Sequence, residues 1–180
     1  MAVLAEAISV VIRAEPLSVA YQDNWDAFKL DVPNSTLCAD GEIVRIGFMS
    51  PNDVEQFVKR LTELGLVHLD HDMAKDFVVV DQLQGPTSLC AWLDFGHVDL
   101  DADPSKRVAA CWLKGSEGRE VLMPDDWQFE NSLSADYTFV PSEEIDEKLT
   151  FLRHDEGLDV YRNEVTGREV YLGRTSPKPA

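Results

Sequence analysis

Apolar residues recur along the chain with two periods. From Ala7 to Arg13 they fall at every second position (Ile8, Val10, Ile12), the pattern of a strand with one buried face. Glu42 to Met49 repeats it with Val44, Ile46 and Phe48. Between them Pro16 opens a helix running through Asn24, Trp25 and Phe28. That helix ends before Pro33, because the residue preceding a proline is pushed out of the helical region. Asn34 to Gly41 is polar and reads as a turn. The strongest helical signal covers 51–64. Ser50 stands at the N-cap, Pro51 at the first helical position and Asp53 in the first turn. Val54, Phe57, Val58, Leu61 and Leu64 share one face, and Gly65 is a natural stop.

Beyond this helix the pattern is mostly strand. Asp76–Gln82, with Phe77-Val78-Val79-Val80, is apolar on both faces and predicts an interior strand. Gln84-Gly85-Pro86 marks a turn, and Leu89 to Val98 a long strand. An acidic loop, Asp99 to Lys106, leads to Val108–Leu113 and Arg119–Met123, which read as a hairpin turning at Gly115-Ser-Glu-Gly118. Pro124 to Ser134 has no period. Ser142 caps an acidic-led helix from Glu143 to Leu152, with Ile145, Leu149 and Leu152 on one side. Asp159–Asn163 and Glu169–Leu172 form a closing hairpin. The order predicts an α+β fold: a mixed, largely antiparallel sheet, two or three helices packed on it and a C-terminal hairpin. A single domain is expected over 1–174, with a flexible tail at 175–180.

Composition changes this picture through charge. The 180 residues include 33 acidic and 16 basic side chains, a net charge of −17. Residues 1–90 hold 14 acids and 6 bases and residues 91–180 hold 19 and 10, so the acidity belongs to the whole fold and not to a tail. Nucleic-acid binding is disfavoured, since phosphate neutralisation needs a basic face. An anionic membrane surface is disfavoured for the same reason. No 18-residue apolar stretch exists, and Glu6 interrupts the N-terminal apolar run before any basic residue, unlike a secretory signal. Cys38, Cys90 and Cys111 are odd in number and lack metal or disulfide spacing, which suggests reduced thiols in a cytoplasm.

Candidate chemistry is sparse. His68-Leu-Asp70-His71-Asp72 places two imidazoles and two carboxylates in one short stretch, where a divalent metal would find ligands, with His97 joining from a neighbouring strand. Asp99-Leu-Asp101-Ala-Asp103 imitates the start of a calcium loop. It fails where Pro104 replaces the turn glycine and Ala110 the bidentate glutamate. Asp94-Phe-Gly96 stands without the rest of a kinase signature, and no nucleophile elbow or phosphate-binding glycine loop occurs. Trp92 and Trp112 lie in apolar strands and read as core. Trp127 instead sits among acids, in Pro124-Asp125-Asp126-Trp127-Gln128-Phe129-Glu130, as a partner-binding aromatic would.

Ile46-Gly-Phe-Met49, followed by Ser50-Pro-Asn-Asp53-Val-Glu-Gln-Phe57 and Leu64-Gly65-Leu66, resembles the opening of a vicinal-oxygen-chelate (glyoxalase-like) module. The resemblance implies a small metal-dependent or small-molecule-binding enzyme domain. The strand from Glu42 to Met49 holds no histidine at the place of that family's metal ligand. The residues themselves lead to a different expectation: a non-catalytic acidic cytoplasmic binding protein, of inhibitor or immunity type, with a basic protein as partner and no cofactor. Its binding residues are expected to be Asp99, Asp101, Asp103, Asp125, Asp126 and Trp127, because a surface of one sign steers oppositely charged partners.

Overall fold

A computed structural model describes residues 1–117, 120–136, 149–155, 158–163 and 169–173. The chain forms two compact units, Met1–Gln128 and Phe129–Ala180, within the span read from sequence as one domain. Both mix helix and antiparallel strand, so the fold is α+β as expected. Among the described residues no helix is long and apolar enough to cross a membrane.

The first unit runs β1 (Ala2–Leu4), β2 (Ile8–Arg13), α1 (Ala14–Ala20), α2 (Trp25–Asp31), β3 (Cys38–Ala39), β4 (Ile43–Phe48) and α3 (Pro51–Glu63). It continues with β5 (Leu69–Asp70), β6 (Met73–Ala74), β7 (Phe77–Asp81), β8 (Gly85–Pro86), β9 (Leu93–Asp99), β10 (Arg107–Leu113) and β11 (Val121–Leu122). Five strands make one antiparallel sheet in the order β3-β4-β2-β7-β8. Its register puts Val10 opposite Ile46 and Val79. One face carries Val10, Ile12, Val44, Ile46, Phe48 and Phe77. The helices cover it with Leu17, Phe28, Val54, Phe57 and Leu61, and all eleven are buried. The α3 face is the one the sequence predicts. Leu64 is the C-cap, and Gly65 reverses the chain at φ 95°. The side chain of Ser50 makes no capping bond.

Two departures shape the site. The single helix expected from Pro16 to Val32 is two, because Gln22 and Asp23 take left-handed conformations (φ 54° and 59°) and stop α1. Asn24 then caps α2, its side chain accepting from the Ala27 N–H at 3.0 Å. The expected hairpin of 108–113 with 119–123 is not a hairpin. The second sheet has the order β11-β1-β10-β9, with β1 inserted between its two presumed strands. Ala2–Leu4 is fully buried, antiparallel to β10 and parallel to β11. Smaller differences follow. Cys38–Ala39 is a short strand within the predicted turn, Gly85–Pro86 pairs with β7, and the predicted 89–98 strand begins only at Leu93.

The second unit contains a short helix, α4 (Leu133–Asp136), and the strands β12 (Leu149–Asp155), β13 (Leu158–Asn163) and β14 (Glu169–Gly173). These strands form an antiparallel sheet in chain order. The closing hairpin is therefore as predicted. Residues 149–152 are strand rather than the end of a helix, while 142–148 and the 175–180 tail lie outside the described residues.

Candidate functional site

The predicted acidic segments share one end of the four-stranded sheet. The β9–β10 pairing ends at Asp99 opposite Arg107. On the other side β11 runs parallel to β1, so residues 123–127 continue toward the same end, past Leu4 and Glu6. The Trp127 indole donates to the Glu6 carboxylate at 3.1 Å, which fixes this second segment. Trp127 is accordingly half-buried, while Asp101, Asp125 and Asp126 are exposed. Asp101 and Asp126 occupy left-handed turn conformations (φ 54° and 64°).

The other two predicted acids have local structural duties. Asp99 takes a bidentate pair from Arg107 (2.6 and 3.0 Å), and that guanidinium holds its carboxyl below the usual carboxylate range. Asp103 accepts from the N–H and hydroxyl of Ser105 (2.9 and 2.7 Å), which likewise lowers its pKa. The connection from Asp99 to Arg107 therefore holds two 3-10 turns, Leu100–Ala102 and Pro104–Lys106, with Asp101 in the first, and the Asp99–Arg107 pair closes it.

The histidines have three separate surroundings. His68 stacks on Phe77 at 4.8 Å, and burial lowers its pKa. His71 stands exposed at the β5–β6 turn (φ 50°), its Nδ1 2.7 Å from Asp70. His97 lies on β9 with its ring edge-on to Phe95. Among the described residues no group of three His, Cys, Asp or Glu side chains is placed to hold a metal ion. The thiols of Cys38 and Cys111 are buried, and burial raises both. Trp92 and Trp112, expected in the core, are only half-buried. The Trp92 indole donates to the Ala74 carbonyl at 3.0 Å, and Trp112 lies over Gly96, where a Cβ would overlap its ring.

Two features have no signature in the sequence pattern. Arg45 is 2% exposed, under the face of the five-stranded sheet that β1 covers. Its Nε donates to the Ser9 hydroxyl (2.9 Å), and its terminal nitrogens donate to the carbonyls of Glu6 (2.8 Å) and Thr36 (3.3 Å). The guanidinium passes over Gly47, where a Cβ would overlap it. Burial lowers the Arg45 pKa. Arg45 thus ties down the backbone of Glu6, and Glu6 in turn positions Trp127.

The second feature is a cavity of about 340 Å³ between α1, α2 and the β3–β4 hairpin. Tyr21, Trp25 and Phe28 give it aromatic walls, with Trp25 and Phe28 ring centroids 5.1 Å apart. The space exists because Ala14, Ala39 and Gly41 are small and because the Gln22–Asp23 break swings α2 off the line of α1. The Tyr21 hydroxyl donates to Asp31 at 2.8 Å. Burial, then this carboxylate, pushes the phenol up to about 12.

Compared with known protein families, curated proteins and solved structures, the chain matches none.

Proposed function

We propose that the protein is a non-catalytic acidic binding protein that captures a partner with a basic face, as an inhibitor or immunity-type protein does. The observation that supports this most is the placement of two acidic turns at the same end of one sheet, one joining β9 to β10 and one following β11, with Asp101, Asp125 and Asp126 exposed. Their supports are rigid: Arg107 and Ser105 hold one turn, and Trp127 on Glu6 holds the other. A rigid charged surface loses little ordering entropy on association, and loops on a fixed scaffold commonly carry binding residues. Net charge of −17 adds long-range attraction for a cationic partner. Three free cysteines favour a reducing cytoplasm as its compartment.

The test uses immobilised poly-L-lysine at low salt. The triple variant Asp101→Asn, Asp125→Asn, Asp126→Asn is compared with a charge-matched control, Glu55→Gln, Asp72→Asn, Glu117→Gln, at exposed sites elsewhere. The reading expects the first triple to bind more weakly than the control. Equal loss in both would reduce the acidic turns to general surface charge.

A further inference from the structure

The cavity between α1, α2 and the β3–β4 hairpin is apolar inside and acidic outside. Asp23 lines it, and Glu15, Asp26, Asp40 and Glu42 are each next in the chain to a lining residue. The bases similarly adjacent are Arg13, Lys29 and Arg45. Arg13 pairs with Glu15 (3.9 Å) and Lys29 with Asp26 (3.4 Å), while Arg45 is buried on the far face of the sheet. The net charge of these side chains is therefore negative: Asp23 accepts from the Ser18 hydroxyl and Asp40 from the N–H groups of Glu42 and Ile43, both keeping their charge, and Glu42 is exposed. Inside, the Trp25 ring, 40% exposed, offers a face to an entering group.

We propose that this cavity is a docking site for a basic amphipathic segment of a protein partner, one large apolar side chain entering between Tyr21, Trp25 and Phe28 and flanking lysines or arginines meeting the acidic rim. A cation alone would meet Asp23 but leave the apolar lining of Leu17, Phe28 and Val44 unfilled. A neutral apolar segment would leave the rim carboxylates without counter-charges. An apolar anchor ringed by cations satisfies both, and buried aromatic pockets of this kind hold the anchor residues of protein interfaces. The inference shares with the acidic-turn reading only the sign of the partner's charge, since α1, α2 and β3 belong to the five-stranded sheet and its helices.

The experiment titrates the intact protein with three blocked pentapeptides: Lys-Lys-Phe-Lys-Lys, Lys-Lys-Gly-Lys-Lys and Gln-Gln-Phe-Gln-Gln. Binding is read from the NMR shifts of the Trp25 indole N–H and the Ala39 and Gly41 amides. The first peptide should move these signals. The glycine peptide should bind about tenfold more weakly, as expected for loss of a buried phenylalanine. The glutamine peptide should bind several-fold more weakly and lose its salt dependence. Ala39→Leu fills the cavity without changing charge. It should weaken the first peptide about tenfold while the folded spectrum persists. Equal binding of the phenylalanine and glycine peptides, equal binding of the lysine and glutamine peptides, no shift at Trp25, or an Ala39→Leu variant that binds like the wild type would each overturn the proposal. Loss of binding in the Asp101/Asp125/Asp126 triple but not in Ala39→Leu would overturn it too, while leaving the acidic-turn reading standing.

Discussion

Replacing Arg45 with methionine should destabilise the first unit by about 3 kcal/mol. Methionine keeps much of the apolar stem and removes the guanidinium. Two donors are then lost to the Ser9 hydroxyl and the Thr36 carbonyl, and a third to the Glu6 carbonyl, which retains the Ser9 hydroxyl at 3.2 Å. Hydrogen bonds from a charged donor contribute about 1.5–3 kcal/mol each, and stranded buried acceptors cost about 1–3 kcal/mol. Against this stands the desolvation cost of a cation at 2% exposure, which the variant no longer bears. Breaking a buried charged network by removing one member has a net cost of about 3–5 kcal/mol, and the surviving Ser9–Glu6 bond places this case at the lower end. Urea unfolding followed by far-UV circular dichroism measures it. At a slope of about 2 kcal/mol/M the midpoint should fall by about 1.5 M. Gly47 supplies the cross-check. Gly47→Ala should be costly in the wild type, where the new Cβ meets the guanidinium, and nearly free in the Arg45→Met background, where that group is gone. Additive costs, or an Arg45→Met loss below 1 kcal/mol, would refute the network as a stabilising element.

Other perturbations test the rest of the fold. Phe57→Ala should cost about 3–5 kcal/mol in the same unfolding assay, because its ring is 5% exposed and packs 5.4 Å from Phe48. Burial against Phe77 lowers the His68 pKa below 6.5, so the unfolded chain binds its proton first on acidification. The His68 contribution to stability is therefore full above the unfolded value and lost as pH falls through 6.5 toward the folded value. His68→Gln should flatten the stability profile in that window, and an unchanged profile would contradict the stacked, neutral imidazole. Tyr21→Phe should remove from the ultraviolet titration a phenol with midpoint about 12, and a titration unchanged by the substitution would contradict the Tyr21–Asp31 bond.

The sequence shows α3 clearly because Pro51, Asp53 and the 54/57/61 spacing all act within one helix, and local signals need no tertiary partner. Strands β2, β4 and β7 are legible for the same reason. Arg45 is not. Alternation sends it to the face opposite Val44 and Ile46, which a one-sided sheet would leave in water; β1 and the segments around Glu6 and Thr36 cover it. Strand β1 itself is three residues long, and its parallel partner β11 lies more than a hundred residues away, beyond any local signal. The break between α1 and α2 hides in Gln22 and Asp23, polar residues that fit a solvent-facing helix position equally well. At 149–152 the apolar spacing suits a helix, but Thr150 and Phe151 favour strands and β13 supplies the pairing. The acidic turns were visible as composition. That Asp99 and Asp103 are spent on Arg107 and Ser105, leaving Asp101 exposed, follows from loop geometry alone. The aromatic cavity has no local signature in the sequence, because its space is made by small residues from separate elements.

The central claim, capture of a basic partner through the acidic turns, is tested most directly by association kinetics. Stopped-flow fluorescence of the protein mixed with a lysine-rich polypeptide, repeated across ionic strengths, gives the association rate against salt. Electrostatic steering accelerates encounter by about 10–1,000-fold and decays with screening. The account predicts a steep fall in rate with salt for the wild type. It predicts a slower, flatter line for the Asp101/Asp125/Asp126 triple, beyond that of the charge-matched control. Superimposable lines for the triple and the control would contradict it.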